Sequence, residues 1–304
     1  MNLKKRLGRL FQQSSQVISE NWDPPRDKNF NVIGKTKSEY QSNLAQNRRA
    51  NLRMLQVAYS YFCAGNALVS SHNPVSVFDF GCAFSPIGQV YALDPVVEPA
   101  IERYLGVDID ANAIEWNSRI SDQNKHFIYR HYNPEHERYF DDPKVIDASN
   151  LDKAADFLGL KLVLESDSIF DIQLSSSVFT HLYIKEFEAF LRMVSPYMRS
   201  GGILFNSLFL LDYSLDLKRK GKSVYSKPDR QFEPCISGEL AEGSFTYAPH
   251  NPRAGIAFSR ETVIEMVTRI PGLIIEDFLY GDWRGIQRVP VSPNYQDWLI
   301  LRKE

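Results

Sequence analysis

An apolar run that stops at a carboxylate, turns on a glycine and restarts as a helix constrains this chain more than any other stretch: VSVFDFGCAFSPIG, Val75 to Gly88. Val75, Val77 and Phe78 have the β-branched and aromatic character of a buried parallel strand, and His72, Asn73 and Pro74 form the turn that opens it. Gly81 tolerates backbone angles that a Cβ resists and lets another molecule approach the main chain. Ser85 is suited to cap a helix and Pro86 to occupy its first position, which predicts a helix from Ser85. In the Gly-x-Gly-x-x-Gly register the residues are Gly81, Ala83 and Pro86, so a bound pyrophosphate is disfavoured. The Asp79 carboxylate suits a cationic ligand better than a phosphate.

A second apolar run, YLGVDID (Tyr104 to Asp110), follows one strand-helix-strand unit later. Asp108 falls where such folds place an acid that accepts hydrogen bonds from ribose hydroxyls. Asp110 either shares that role or caps a helix over Ala111 to Arg119. The alternation then continues. Strands are predicted at Phe127–Tyr132, Ile169–Ser175, Gly202–Leu211, Leu273–Tyr280 and Gln296–Arg302, and helices at Ala111–Ile120, Ile184–Met198 and Ser259–Arg269. Such alternation implies an α/β fold, a doubly wound, mostly parallel sheet with helices on both faces. A ligand should sit beyond the C-terminal ends of the first, second and fourth strands.

The 304 residues, 43% hydrophobic and 24% charged, suffice for a sizeable core. A net charge of −2 gives no global reason to expect nucleic acid. Cys63, Cys82 and Cys235 match no metal-ligand spacing, and with the lack of a signal peptide or membrane span they point to a reducing, cytoplasmic setting. Residues 1–70 form an N-terminal helical extension to a domain at 71–304. Within it, Leu3, Leu7, Leu10 and Phe11 share one helical face amid Lys4, Lys5, Arg6 and Arg9, which fits either peripheral membrane contact or docking on a partner through residues 1–20. Asn21 to Lys37 reads as a linker, and Ser38 to Ala67 as one or two helices. His126, His131 and His136 lack the paired carboxylate or regular spacing of a metal site and read as a solvated loop, so no metal is expected.

DFGCAFSPIG, then YLGVDID, FDIQLSSSVFTHL and FLRMVSPYMRSGGILF, in that order, resemble a Rossmann-type (class I) S-adenosylmethionine-dependent methyltransferase. The GDW turn (Gly281 to Trp283) and the final strand entered by Gln296 and Asp297 are similar to a subgroup acting on small molecules or sugars. The resemblance implies a seven-stranded sheet with a reversed seventh strand. It also implies S-adenosylmethionine as cofactor, held by Asp79, Gly81, Cys82, Ala83, Asp108, Ile109, Asn133 and Ser176. Where the family offers an acid to adenine after the third strand, this chain has Asn133, which either takes the role through its amide or leaves the contact missing.

Methyl transfer from a sulfonium demands alignment, and removal of a proton when the acceptor is a hydroxyl. His181, just beyond the fourth strand, is the leading base candidate; alternatively Thr180 caps the next helix and His181 merely occupies its first turn. Asp212 and Tyr213, directly after the fifth strand, are the other polar groups expected to face the acceptor. Residues 212–258 are long and rich in aromatics and basic residues, and read as a substrate cap. The expected activity is O-methylation of a small molecule or saccharide. A non-catalytic binding or scaffold protein, and a nucleotide-dependent (NAD or nucleotide-sugar) enzyme on the same fold, are the alternatives.

Overall fold

The computed structural model describes residues 37–66, 74–83, 85, 87–88, 100–121, 125–132, 164, 169–211, 233–234, 243–281, 283 and 295–304. The expected amphipathic N-terminal helix, the linker after it as far as residue 36, His136, Asn133, Asp212 and Tyr213 lie outside the described residues, and Lys37, read as the linker's last residue, instead opens a helix.

Seven strands build the main sheet: β1 (Val75–Phe80), β2 (Ile101–Asp108), β3 (Phe127–His131), β4 (Phe170–Ser175), β5 (Met198–Leu208), β10 (Leu273–Leu279) and β11 (Asp297–Lys303). Their order is β10-β11-β5-β4-β1-β2-β3. Six of them run in the same direction, whereas β11 is reversed and pairs antiparallel with both β5 and β10. The reversed strand therefore falls inside the sheet. Because β1 is flanked by β2 on one side and β4 on the other, the chain reverses its winding there, which opens a crevice beyond the strand ends.

Both faces are covered. On one, α1 (Lys37–Gly65) lays Leu52, Met54, Leu55, Ala58 and Phe62 against Val75, Val77, Ile172, Phe205 and Trp298. On the other, α3 (Ile184–Val194) and α4 (Arg260–Thr268) bury Phe187, Phe190, Val263 and Met266 against Phe78, Phe80, Leu204 and Leu299. The strand period of two separates these sets: in β5, Phe205 faces α1 while Leu204 and Leu208 face α3. Each such buried Leu or Phe contributes about 1.5 to 3 kcal/mol relative to exposure.

Helix boundaries follow from caps. The Asp110 carboxylate accepts the N–H groups of Asn112 and Ala113, so it caps α2 (Ala111–Ile120), and β2 ends at Asp108 rather than Asp110. Ser259 caps α4 by accepting from Thr262. α3 stops at Val194, not Met198: Pro196 confines Ser195–Tyr197 to a single 3₁₀ turn, and β5 starts at Met198 directly after it. Ser38 to Ala67, read as one or two helices, contains the greater part of the single helix α1.

A second, four-stranded sheet draws on the stretch expected to form a cap. It comprises β6 (Leu210–Leu211), β7 (Glu233–Pro234), β8 (Ser244–Thr246) and β9 (Ile256–Ser259), in the order β6-β9-β8-β7. The buried Asp297 carboxylate ties it to the main sheet, accepting from Leu210 N, Gly281 N and Trp283 Nε1, each at 2.7 Å. No helix among the described residues is long and apolar enough to cross a membrane.

Candidate active site

The turn after β1 is pinned residue by residue. The N–H groups of Gly81 and Cys82 both donate to the Val107 carbonyl, at 2.8 and 3.1 Å, fastening the turn to β2. Gly81 (φ 77°), Ala83 (φ 44°) and Ser85 (φ 32°) all lie in the left-handed region. For the two residues with a Cβ that conformation costs roughly 1 to 2 kcal/mol each, so something must offset it. Ala83 donates to Asp108 Oδ2 at 2.7 Å, while its carbonyl accepts from Asn117 Nδ2 at 2.7 Å. Ser85 Oγ lies 3.0 Å from both the Tyr104 and Tyr129 hydroxyls and accepts the Gly88 N–H at 3.1 Å. That last bond is the helix cap expected of Ser85, and residues 87–88 are helical. Gly88 and Gly106 make room for Tyr129, since a Cβ on Gly88 would fall 1.8 Å from its hydroxyl and one on Gly106 2.8 Å from its ring.

Asp108 stands at the end of β2. Its Oδ1 accepts from Asp110 N at 2.8 Å and its Oδ2 from Ala83 N, which leaves lone pairs on both oxygens for a ligand's hydroxyls. Burial raises its pKa, opposed by the N–H groups of Asp110 and Ala83.

A cavity of about 370 Å³ opens at the switch point, within the range of small-ligand sites. Gly81, Ala83, Asp108, Ile109, Ser176 and His181 line it, together with Phe80, Tyr132, Ser177, Val178 and Leu182. Residues from the ends of β1, β2 and β4, distant in sequence, thus share one wall. Ser177 (φ 60°) is held in its left-handed turn by donating its N–H to Ser207 Oγ at 2.7 Å and its hydroxyl to Gln296 at 3.0 Å.

Two residues expected at the ligand point elsewhere. Asp79 faces the α1 side with Val75 and Val77, where the Tyr104 hydroxyl donates to its Oδ2, and it does not line the cavity. Cys82 is buried beneath the turn against Asn117 and is likewise absent from the wall. Strand alternation is the reason for Asp79: a carboxylate two residues after Val77 shares its face. Thr180 does not cap α3, because that helix starts at Ile184 with Glu186 accepting the Tyr183 N–H at 2.7 Å. Thr180 instead donates to Ser177 O, and His181 sits in the loop before the helix. Burial pushes the Cys82 thiol and the Tyr104 hydroxyl well up, with the charge of Asp79 adding to both.

Burial also pushes the Asp79 carboxyl up to about 7 from 3.8, against the lowering effect of the Tyr104 hydrogen bond. The folded protein therefore holds this proton more tightly than an unfolded chain. Its stabilisation is complete below about pH 3.8 and fades as pH rises toward 7. Asp79→Asn keeps an acceptor for Tyr104 and has nothing to ionise. Relative to wild type, the variant is expected to gain stability steadily across that pH window, by up to about 4 kcal/mol, in urea unfolding. A pH-independent difference would show that Asp79 ionises as readily folded as unfolded.

Tyr132, Val178 and Leu182 line the cavity without having been singled out in the sequence. Tyr132 carried a positional signal, as the last residue of the predicted third strand; Asn117 and Tyr129, which brace the turn from a helix and a neighbouring strand, carried none. Among the described residues no group of His, Cys, Asp and Glu could hold a metal ion, and His131 Nε2 lies 3.0 Å from the Ile109 carbonyl.

No protein-family model matches the chain, and no curated protein matches its sequence. Solved structures do align with it. An S-adenosylmethionine-dependent methyltransferase from Clostridium acetobutylicum is 13% identical over 81% of this chain and 90% of its own, with a TM-score of 0.43. The magnesium protoporphyrin IX methyltransferase of Synechocystis, solved with bound S-adenosylhomocysteine, is 10% identical over 89% of this chain and 90% of its own, at a TM-score of 0.45. An O-methyltransferase family protein from Burkholderia thailandensis is 12% identical over 97% of this chain and 71% of its own, at 0.47. The fold, with its reversed strand between β5 and β10, is a Rossmann-like, mostly parallel α/β sheet.

Proposed function

We propose that the protein is an S-adenosylmethionine-dependent methyltransferase acting on an oxygen of a small molecule or saccharide. The observation that carries this reading is Asp108, whose carboxylate stands beside the Gly81 turn on the wall of a cavity that also contains His181. The residues fit the cofactor. Asp108 has lone pairs for two ribose hydroxyls, Ile109 and Tyr132 offer an adenine ring apolar surface, and the turn has room only for glycine at 81. A Cβ there would lie 2.3 Å from Val178 Cγ2, so the strand-end loops close on each other at any other residue. S-adenosylmethionine supplies an electrophilic methyl group when bound.

The chain's own contribution is alignment and a base. Phe80, Val178 and Leu182 keep water from the reacting groups, Ser176 adds a polar contact on the cofactor side, and His181 takes the proton of the acceptor hydroxyl. Asp212 and Tyr213, following β6, and Asn133, following Tyr132, remain proposed as acceptor and adenine contacts. Ala83 and Pro86, standing where a dinucleotide fingerprint has glycines, argue against a dinucleotide.

Calorimetric titration with S-adenosylhomocysteine and with NAD tests the reading. Saturable binding of the first and none of the second is expected, and Gly81→Val, in a protein that keeps its sheet, should abolish it. Binding of NAD alone would replace the proposal with a nucleotide-dependent enzyme, and binding of neither would leave a scaffold protein.

A further inference from the structure

The loop from Ser176 to Tyr183 is not helical, and its shape is set from more than seventy residues away. Ile256 donates its N–H to the Thr180 carbonyl at 2.7 Å, and Arg253 Nη1 donates to the His181 carbonyl at 3.2 Å. In return, His181 Nδ1 lies 2.7 Å from the Arg253 carbonyl. A carbonyl oxygen can only accept, so Nδ1 carries the proton and Nε2 holds the lone pair of the ring. Arg253 lies in the 3₁₀ turn Pro252–Ala254, between β8 and β9 of the second sheet.

Arg253 is itself fixed with little freedom. Its guanidinium meets the Glu186 carboxylate with both prongs, at 2.8 and 2.9 Å, and lies over the Tyr183 ring at 4.5 Å. The two side chains are 10% and 1% exposed. Glu186 also accepts the Tyr183 N–H, so one carboxylate starts α3 and anchors Arg253 together. We infer that Arg253, locked by Glu186, is a positioning residue: the second sheet holds His181 in the Nδ1–H tautomer, so that Nε2 is the nitrogen able to take a proton. The use of that lone pair rests on the methyltransferase reading above, whereas the tautomer does not. A methyl acceptor reaching His181 in the cavity would thereby meet a base that the second sheet has already oriented.

The test is long-range ¹H–¹⁵N NMR of protein with ¹⁵N-labelled histidine, at a pH where the ring is neutral, with His181→Gln assigning the signal. In the wild type the Nδ1–H form should exceed the Nε2–H form by roughly tenfold, the weight of one hydrogen bond. Arg253→Met alone strands a buried carboxylate, so the variant to compare is Arg253→Met with Glu186→Gln, in which the glutamine still accepts from Tyr183. There the preference should collapse to parity or invert, while affinity for S-adenosylhomocysteine stays at its wild-type value. A wild-type His181 in the Nε2–H form, or a folded double variant with the Nδ1–H form undiminished, would overturn the inference. Failure to bind S-adenosylhomocysteine with the tautomer as expected would instead overturn the methyltransferase reading and leave the positioning intact.

Discussion

Turnover of a His181→Ala variant is expected to fall between about a hundredfold and ten-thousandfold, the usual effect of removing a general base. The measurement is release of S-adenosylhomocysteine with the acceptor that a screen of hydroxylated small molecules and saccharides identifies. His181 lines the cavity but bonds to the Arg253 carbonyl and not to Asp108 or the Gly81 turn, so affinity for S-adenosylhomocysteine should stay near wild type. A purely structural His181 predicts the opposite pattern. Losing the ring's bond to the Arg253 carbonyl would then lower the melting temperature and leave turnover largely intact. A stable, cofactor-binding variant with near-normal turnover would remove His181 from the mechanism and pass the proton to Asp212 or Tyr213.

Asp108→Ala removes a different residue of the cavity wall. Hydrogen bonds to a charged carboxylate contribute about 1.5 to 3 kcal/mol each, so losing two, with water compensating in part, should weaken S-adenosylhomocysteine binding by at least roughly tenfold. The loss is compounded within the protein. Asp108 also accepts from Ala83 and Asp110, and its removal frees the left-handed Ala83 to relax out of the geometry the ligand meets. The control is Asp110→Ala, which removes only the cap of α2 and should cost about 1 kcal/mol of stability with affinity almost unchanged. If the control variant lost the ligand and Asp108→Ala kept it, the ribose contact would belong two residues further along.

The sheet was legible because interior strands buried on both faces write themselves as short apolar runs: VSVFDF, FDIQLS and DWLILRK appear in the structure within a residue or so of the ranges the sequence predicts. The ends of the first and fourth strands were legible for the same reason, and Gly81, Asp108, Ile109, Ser176 and His181 share one cavity wall. The orientation of Asp79 was not legible, because a period of two fixes which face a residue takes but not which of the two faces holds a ligand. Its partner, Tyr104, lies on the neighbouring strand, and nothing local announces it. Asp110 was ambiguous in sequence, since an acid after a strand and an acid before a helix are the same residue there; geometry resolved it in favour of the cap. Glu186 and Arg253 were invisible for a different reason. Sixty-seven residues separate them, and only tertiary packing makes a buried pair of two charges that in sequence read as solvated.

The pinning of Ala83 at both its N–H and its carbonyl, and of Ser85 by two tyrosines, carries a thermodynamic consequence. The ordering entropy of this turn is spent during folding and not at the moment a ligand arrives. Association should accordingly proceed in a single kinetic phase, its rate rising linearly with ligand concentration, and without the large negative heat-capacity change that accompanies a loop folding around its guest.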